Sequence, residues 1–253
     1  MVLLGLGDSV TAGFGADPGK SYFDRLVENP LDEFEEMQGR SLSVVYPNLV
    51  AQNISVNGSN SIEHWSEQVA DLKPFSEDTL GIVVFTTGGN DLIHWYGANP
   101  PKEGAMYGAT LEQAEPWVAN FEQRLVKMLD RIGEAFPGGH HVFLANIYDP
   151  SDGVGNPAAA GMPAWNDMSE IHRRYNEVIE RVAEERPEVH LVDIHGLFLG
   201  HGAHCTQFWR PHYQLDDPTY WYFSNIEDPN ERGYDALRRL FLLKMIETLQ
   251  TTT

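Results

Sequence analysis

With 253 residues, 42% of them hydrophobic, the chain has the length of one large domain and enough apolar residues for a sizeable core. Its 17 Lys and Arg against 37 Asp and Glu leave a formal net charge of −20, which excludes nonspecific binding to nucleic acid or to an anionic membrane surface. The single cysteine, Cys205, excludes an internal disulfide, and no apolar run reaches the length of a membrane span.

Met1 leads directly into Val2–Leu6, an apolar run that reads as a buried strand feeding a loop at Gly7-Asp8-Ser9. There is no basic start and no cleavage-site pattern, so no signal peptide is expected, although a chain trimmed of a leader would look the same. Residues 14–43 are polar and acidic and read as an excursion from the core, part of it helical. Tyr46-Pro47 suits the start of a short helix, with Pro47 at its first position. A second strand is expected at Ile54–Val56, a helix near Ile62–Leu72, and a third, β-branched strand at Leu80–Thr86 that ends on Gly88-Gly89-Asn90-Asp91. The amphipathic segment Pro116–Phe136 predicts a long helix opened by Pro116 and stopped by Pro137-Gly138-Gly139. A fourth strand at His141–Ile147, a helix at Trp165–Glu185, a fifth strand at Val189–Ile194, a long loop at 195–227 and a last helix at Asn230–Leu249 complete the chain.

Strands alternating with helices predict an α/β fold, a parallel sheet covered on both faces. Ligands of such sheets bind beyond the carboxyl ends of the strands, and that geometry gathers Ser9, Gly58, Asn90, Asp149 and the His195 loop on one rim. Ser9 follows a strand between Gly7 and the small residues Ala12 and Gly13, a turn that can expose a hydroxyl and aim backbone N–H groups at a developing oxyanion. Gly58 lets a substrate approach the backbone closely, and the Asn90 amide can donate to the same oxygen. Taken singly, each of these residues also reads as ordinary turn or cap chemistry.

Taken together, the order Gly7-Asp8-Ser9-Val10-Thr11-Ala12-Gly13, then a glycine at a strand end, then Gly88-Gly89-Asn90-Asp91, resembles the SGNH (GDSL) hydrolases along the whole chain. Tyr46-Pro47-Asn48-Leu49-Val50 resembles the family's first-helix stretch, which makes residues 14–43 an insertion in a single domain spanning 1–253. The resemblance implies a flavodoxin-like three-layer α/β/α fold with a five-stranded parallel sheet. It also implies a nucleophilic Ser9 and an oxyanion hole built from Gly58, Asn90 and the Ser9 N–H.

The fourth block departs from the family pattern Asp-x-x-His-Pro-Asn-x-x-Gly. Asn225 takes the aspartate position and Asp228 the histidine position, while Pro229, Asn230 and Gly233 keep the register. A serine hydroxyl is a poor nucleophile without a base. One reading moves the histidine to the upstream loop, with His204 and then His201 preferred because small residues surround them, and with Asp228 behind as the orienting group. A second makes Asp228 itself the base, its pKa raised by burial. A third leaves a binding module without turnover on the same fold.

His201, His204 and Cys205 do not make a recognised zinc spacing, and Asp149-Pro150-Ser151-Asp152 lacks the later glutamate of a calcium loop, so no metal is expected. The aromatic runs His94-Trp95-Tyr96, Phe208-Trp209 and Tyr220–Phe223 read either as a stacking wall for a sugar or acyl chain or as anchors of a long loop. The expected activity is serine-esterase hydrolysis of a small-molecule ester, with no organic cofactor. Carbohydrate O-acyl esters rank ahead of lipid acyl esters as substrates.

Overall fold

A computed structural model describes residues 1–250. Five parallel strands, β1 (Val2–Leu6), β2 (Val50–Asn53), β3 (Gly81–Phe85), β4 (His140–Ala145) and β5 (Val189–Val192), form one sheet in the order β2-β1-β3-β4-β5. This is the flavodoxin-like order, in which the chain reverses direction across the sheet between β1 and β3 and opens a crevice at their carboxyl ends. The helices are α1 (Ser9–Ala12), α2 (Tyr22–Val27), α3 (Leu42–Val45), α4 (Ser61–Glu63), α5 (Gly89–Ile93), α6 (Leu111–Ala135), α7 (Met168–Glu184), α8 (Ile194–Phe198) and α9 (Glu231–Gln250).

The strand side chains divide between two cores as the period of two requires. Leu4, Leu6, Val83, Phe85 and Leu144 pack with α6 and α7 on one face. Leu3, Ile82, Val84, Phe143 and Val192 pack with α2, α8 and α9 on the other. Central strands buried on both faces read as unbroken apolar runs, which is why β1 and β3 stand out in the sequence.

Three expectations need correction. The second strand is Val50–Asn53, not Ile54–Val56. Every residue of this edge strand is exposed, so it carries no apolar pattern, whereas Ile54 and Val56 merely continue along β1 through N–H bonds to Gly5 and Gly7. Pro47 follows a helix instead of starting one, because α3 ends at Val45 and the residue before a proline disfavours the α region. The long helix begins at Leu111, five residues ahead of Pro116, because Thr110 and Gln113 form a capping box there.

The acidic excursion is held down by buried charge. Arg25 on α2 contacts Glu33 at 3.2 Å and Asp235 of α9 at 3.5 Å, and Arg238 of α9 contacts Glu33 at 3.2 Å. All four side chains are buried.

Candidate active site

β1 delivers the Gly7-Asp8-Ser9 turn to the sheet's carboxyl edge. Gly7 has φ 120°, and a Cβ there would lie 2.1 Å from the Thr86 carbonyl oxygen, so glycine alone lets the ends of β1 and β3 approach. Asp8 then caps α1: its Oδ1 accepts the Val10 N–H at 3.1 Å and the Thr86 hydroxyl at 2.8 Å. Thr86 pairs with Thr11 at 2.9 Å, and Thr11 pairs with the Tyr22 hydroxyl at 2.7 Å. Burial pushes the Asp8 carboxyl up to about 6. This buried polar chain fixes Ser9 at the first position of α1.

Gly58 sits in an exposed turn at φ 77°, and a Cβ there would meet open space. Among the described residues its N–H has no protein acceptor. Asn90, in the first turn of α5, donates one Nδ2 hydrogen to the Ser59 carbonyl at 2.9 Å. That bond ties the turn after β2 to the turn after β3. Sequence reasoning missed the scaffold beneath it. The Ser59 hydroxyl donates to the Gly7 carbonyl at 3.1 Å and meets His64 Nε2 at 2.9 Å, while His64 Nδ1 meets the Thr87 hydroxyl at 2.8 Å. Gln68 accepts the Gly7 N–H at 2.8 Å and donates to the Gly7 carbonyl at 2.9 Å. Burial drives His64 down to about 3, so it is a neutral bridge. Its only sequence signal is a pair of polar residues, His64 and Gln68, four apart in a helical stretch.

The fourth block lies against Ser9. Asn225 Nδ2 donates to Asp228 Oδ2 at 2.6 Å, and Asn225 Oδ1 accepts the N–H groups of Glu227 at 3.3 Å and Asp228 at 3.2 Å. Asp228 is 2% exposed, and its Oδ1 is buried without a fully formed hydrogen bond. Burial raises the Asp228 pKa, and the facing Ser9 hydroxyl and the Asn225 amide oppose that rise. Between Asn225 and Asp228 the β-branched Ile226 holds φ 62°, a left-handed conformation that costs such a residue about 1–3 kcal/mol.

His201 and His204, the candidates for a relocated histidine, lie in the loop after α8. The His201 ring stacks on Trp221 at 3.4 Å, and its Nδ1 meets the Thr219 carbonyl at 3.0 Å. His204 is buried with both ring nitrogens lacking a protein partner, and its N–H is held by Asp152. Among the described residues neither ring hydrogen-bonds to Ser9 or Asp228, because the small residues around them serve to bring the 200–204 turn onto the Asp152 carboxylate. That carboxylate accepts the N–H groups of Gly200, Gly202 and His204. Asp149 similarly caps its own turn through Ser151 and Gly153. No cluster of metal-ligating side chains occurs among the described residues.

Ser9 and Asn90 open on a pocket of about 110 Å³ that also takes in the turn after β4 and Ala203, whereas Gly58, Asp149 and His195 do not line it. Its walls are chiefly apolar: Leu92, Ile93, Ile147, Met162, Trp165 and Met168. Trp165 satisfies its indole N–H on the Ala109 carbonyl at 2.7 Å, which leaves its ring as apolar wall. The histidine bordering this pocket is His172, anchored through Nε2 to the Ile147 carbonyl at 2.8 Å. Of the aromatic runs, Tyr96 and Tyr220 line the pocket, Trp221 and Tyr222 are buried in the core, and Phe208 and Trp209 are exposed.

Residues 6–236 match the GDSL-like lipase/acylhydrolase family. The chain belongs to that family. Membership places it among the carboxylic ester hydrolases. No curated protein matches it. Among solved structures it is similar to an extracellular lipase from Streptomyces rimosus, with TM-score 0.60, 16% identity, and coverage of 96% of this chain and 98% of that one. It is similar to a lipase from a goat rumen metagenome, with TM-score 0.57, 16% identity, and coverage of 96% and 97%. It is also similar to an acetylxylan esterase from Geobacillus stearothermophilus, with TM-score 0.53, 20% identity, and coverage of 96% and 93%. These likenesses establish the SGNH fold. Within this GDSL chain the Ser9 turn and the Asn90 turn are tied together through Ser59, which bonds to both Gly7 and Asn90.

Proposed function

We propose that this protein hydrolyses carboxylic esters bearing an apolar acyl chain, through an acyl-enzyme on Ser9. The observation that carries the reading is the apolar pocket that begins at Ser9 and Asn90 and runs past Leu92, Ile147, Met162 and Trp165. An ester carbonyl against the Ser9 hydroxyl presents its oxygen to the Ser9 N–H, the Gly58 N–H and the second Asn90 Nδ2 hydrogen. Charge developing on that oxygen would be stabilised by these donors. The acyl chain then lies along the apolar wall, where each buried methylene contributes about 0.8 kcal/mol.

Acetyl esters of carbohydrate would leave this wall without an occupant. Of the aromatic side chains offered for stacking on a sugar, Trp221 and Tyr222 are buried in the core, and only Tyr96 and Tyr220 line the pocket. Lipid acyl esters therefore move ahead of carbohydrate O-acyl esters. The lipases among the similar structures support that order, while the acetylxylan esterase among them keeps the second class in the test.

The test is a series of p-nitrophenyl esters from acetyl to dodecanoyl, with acetylated xylan alongside, assayed on wild type and Ser9→Ala. The expected result is a kcat/KM that rises severalfold per added methylene, consistent with about 0.8 kcal/mol each, until the pocket is filled, and that vanishes in Ser9→Ala. Greatest activity on acetyl esters or acetylated xylan would overturn the substrate assignment. Undiminished turnover in Ser9→Ala would overturn the nucleophile.

A further inference from the structure

We infer that Asp228 is the general base of this site, taking the proton of the Ser9 hydroxyl directly with no histidine between them, and that Asn225 is the residue that positions it. The inference rests on Ser9 being the nucleophile.

The geometry divides the two carboxylate oxygens between two tasks. Oδ2 is held by the Asn225 amide at 2.6 Å, Oδ1 is buried and unclaimed by any formed bond, and the Ser9 hydroxyl faces the carboxylate. The backbone around Asp228 is fixed as well. The Phe223 N–H donates to the Asp228 carbonyl at 2.6 Å, Tyr222 bridges to Pro229, and the Asn230 N–H donates to the Trp221 carbonyl at 2.8 Å. The chain tolerates a left-handed isoleucine at position 226 within this turn. No ion pair to Asp228 occurs among the described residues, although a buried carboxylate without a cation is costly to maintain. A purely structural residue there would be better neutral.

The groups facing Asp228 are Asp8 from the nucleophile turn, Tyr96 from the 94–97 turn, Tyr148 after β4, the neighbouring Glu227 and Tyr234 of α9. None of these is a cation, and burial makes Asp228 a stronger base than a solvated carboxylate.

The step balances as follows. The Ser9 O–H bond breaks and its proton passes to Asp228 Oδ1 as Oγ bonds the carbonyl carbon. The carbonyl electron pair moves onto oxygen. Collapse breaks the bond to the alcohol, which leaves with the proton from Asp228. Water then gives a proton to Asp228 and its oxygen bonds the acyl carbon. Ser9 Oγ departs and recovers that proton, and the free acid is released.

The experiment compares Asp228→Asn, Asp228→Ala, Asn225→Asp, His201→Ala and His204→Ala on the best p-nitrophenyl ester, with thermal unfolding recorded for each. Asp228→Asn is expected to lower kcat/KM by about 10²–10⁴-fold, the usual weight of general base catalysis. Asp228→Ala is expected to lose activity similarly and to regain part of it with added sodium formate, a carboxylate small enough to enter the space, which a merely structural role would not allow. Both histidine variants should stay within a few-fold of wild type.

Activity should rise with pH through the Asp228 pKa, and because burial raises that pKa the acid limb of kcat/KM should lie above the ordinary carboxylate value of 3.8. Asn225→Asp sets a second negative charge beside Oδ2, raises the pKa of Asp228 and moves that limb to higher pH.

Wild-type rates in Asp228→Asn, or an acid limb near 6.5 that disappears in a histidine variant, would overturn the assignment of the base. If Ser9→Ala is inert while Asp228→Asn stays active, only this inference fails. If Ser9→Ala stays active, the nucleophile reading fails with it.

Discussion

On the proposed reading, replacing Asn90 by alanine removes one side-chain donor to the oxyanion and leaves the backbone N–H groups of Ser9 and Gly58. One Nδ2 hydrogen of Asn90 is committed to the Ser59 carbonyl at 2.9 Å, which holds the amide in place and leaves the other hydrogen for the oxyanion. Loss of a single preorganised donor of this kind costs about 2.7–4 kcal/mol, or about 10²–10³ in kcat. The charge on the oxygen develops after substrate has bound, so the loss should fall on kcat and leave KM nearly unchanged. The same substitution strips the Ser59 carbonyl of its donor, an expected stability loss of about 1 kcal/mol in urea unfolding. Steady-state kinetics on a p-nitrophenyl ester separates the two effects. Asn90→Asp should be at least as damaging, since a carboxylate repels both the Ser59 carbonyl and the oxyanion. An Asn90→Ala enzyme with wild-type kcat, or one whose deficit lies wholly in KM, would refute the reasoning.

Two further outcomes concern stability. Glu33→Ala removes one of the two buried carboxylates that Arg25 and Arg238 share, leaving only Asp235, and should cost about 3–5 kcal/mol in chemical unfolding; a loss under about 1 kcal/mol, the scale of an exposed pair, would mean the cluster is solvated. His64 is neutral in the fold, with its pKa near 3, whereas unfolded it titrates near 6.5. The unfolded chain therefore binds more protons over that range, and stability should fall as pH drops from about 6.5, by up to about 1.4 kcal/mol per pH unit. Asp8, raised to about 6, works in the opposite sense, because the folded state holds the extra proton. His64→Gln should thus flatten or reverse the acid-side loss of stability, read as unfolding free energy at pH 6.5 and 4.5; an unchanged slope would contradict the neutral bridge.

The parts of the fold legible in the sequence were those where burial leaves a pattern. β1 and β3 are covered on both faces and spell continuous apolar runs, and Gly7 and Gly88 mark turns with positive φ. β2 left no such mark, because all of its residues are exposed and its place is set by backbone pairing to β1 alone. The helix at Leu111 was hidden for a related reason: a polar capping box outcompeted the more conspicuous Pro116.

The turns carrying Ser9, Gly58 and Asn90 were legible as turns because their spacing resembles a known order and each holds turn residues. His64, Gln68 and Thr86 were not legible. Each is an ordinary polar residue until the fold brings Gly7 and Ser59 beside it. In the histidine-rich loop, the small residues beside His201 and His204 allow close approach to Asp152 and Trp221, contacts that no spacing announces.

On the proposed mechanism Ser9 becomes acylated during turnover. Acid quenching of the enzyme in the steady state with an octanoyl ester, followed by peptide mass spectrometry, reads this directly. The account predicts an octanoyl group on the peptide containing Ser9, absent from Ser9→Ala, which should also release no product. Product formation by wild type with Ser9 never modified, or continued turnover by Ser9→Ala, would contradict it.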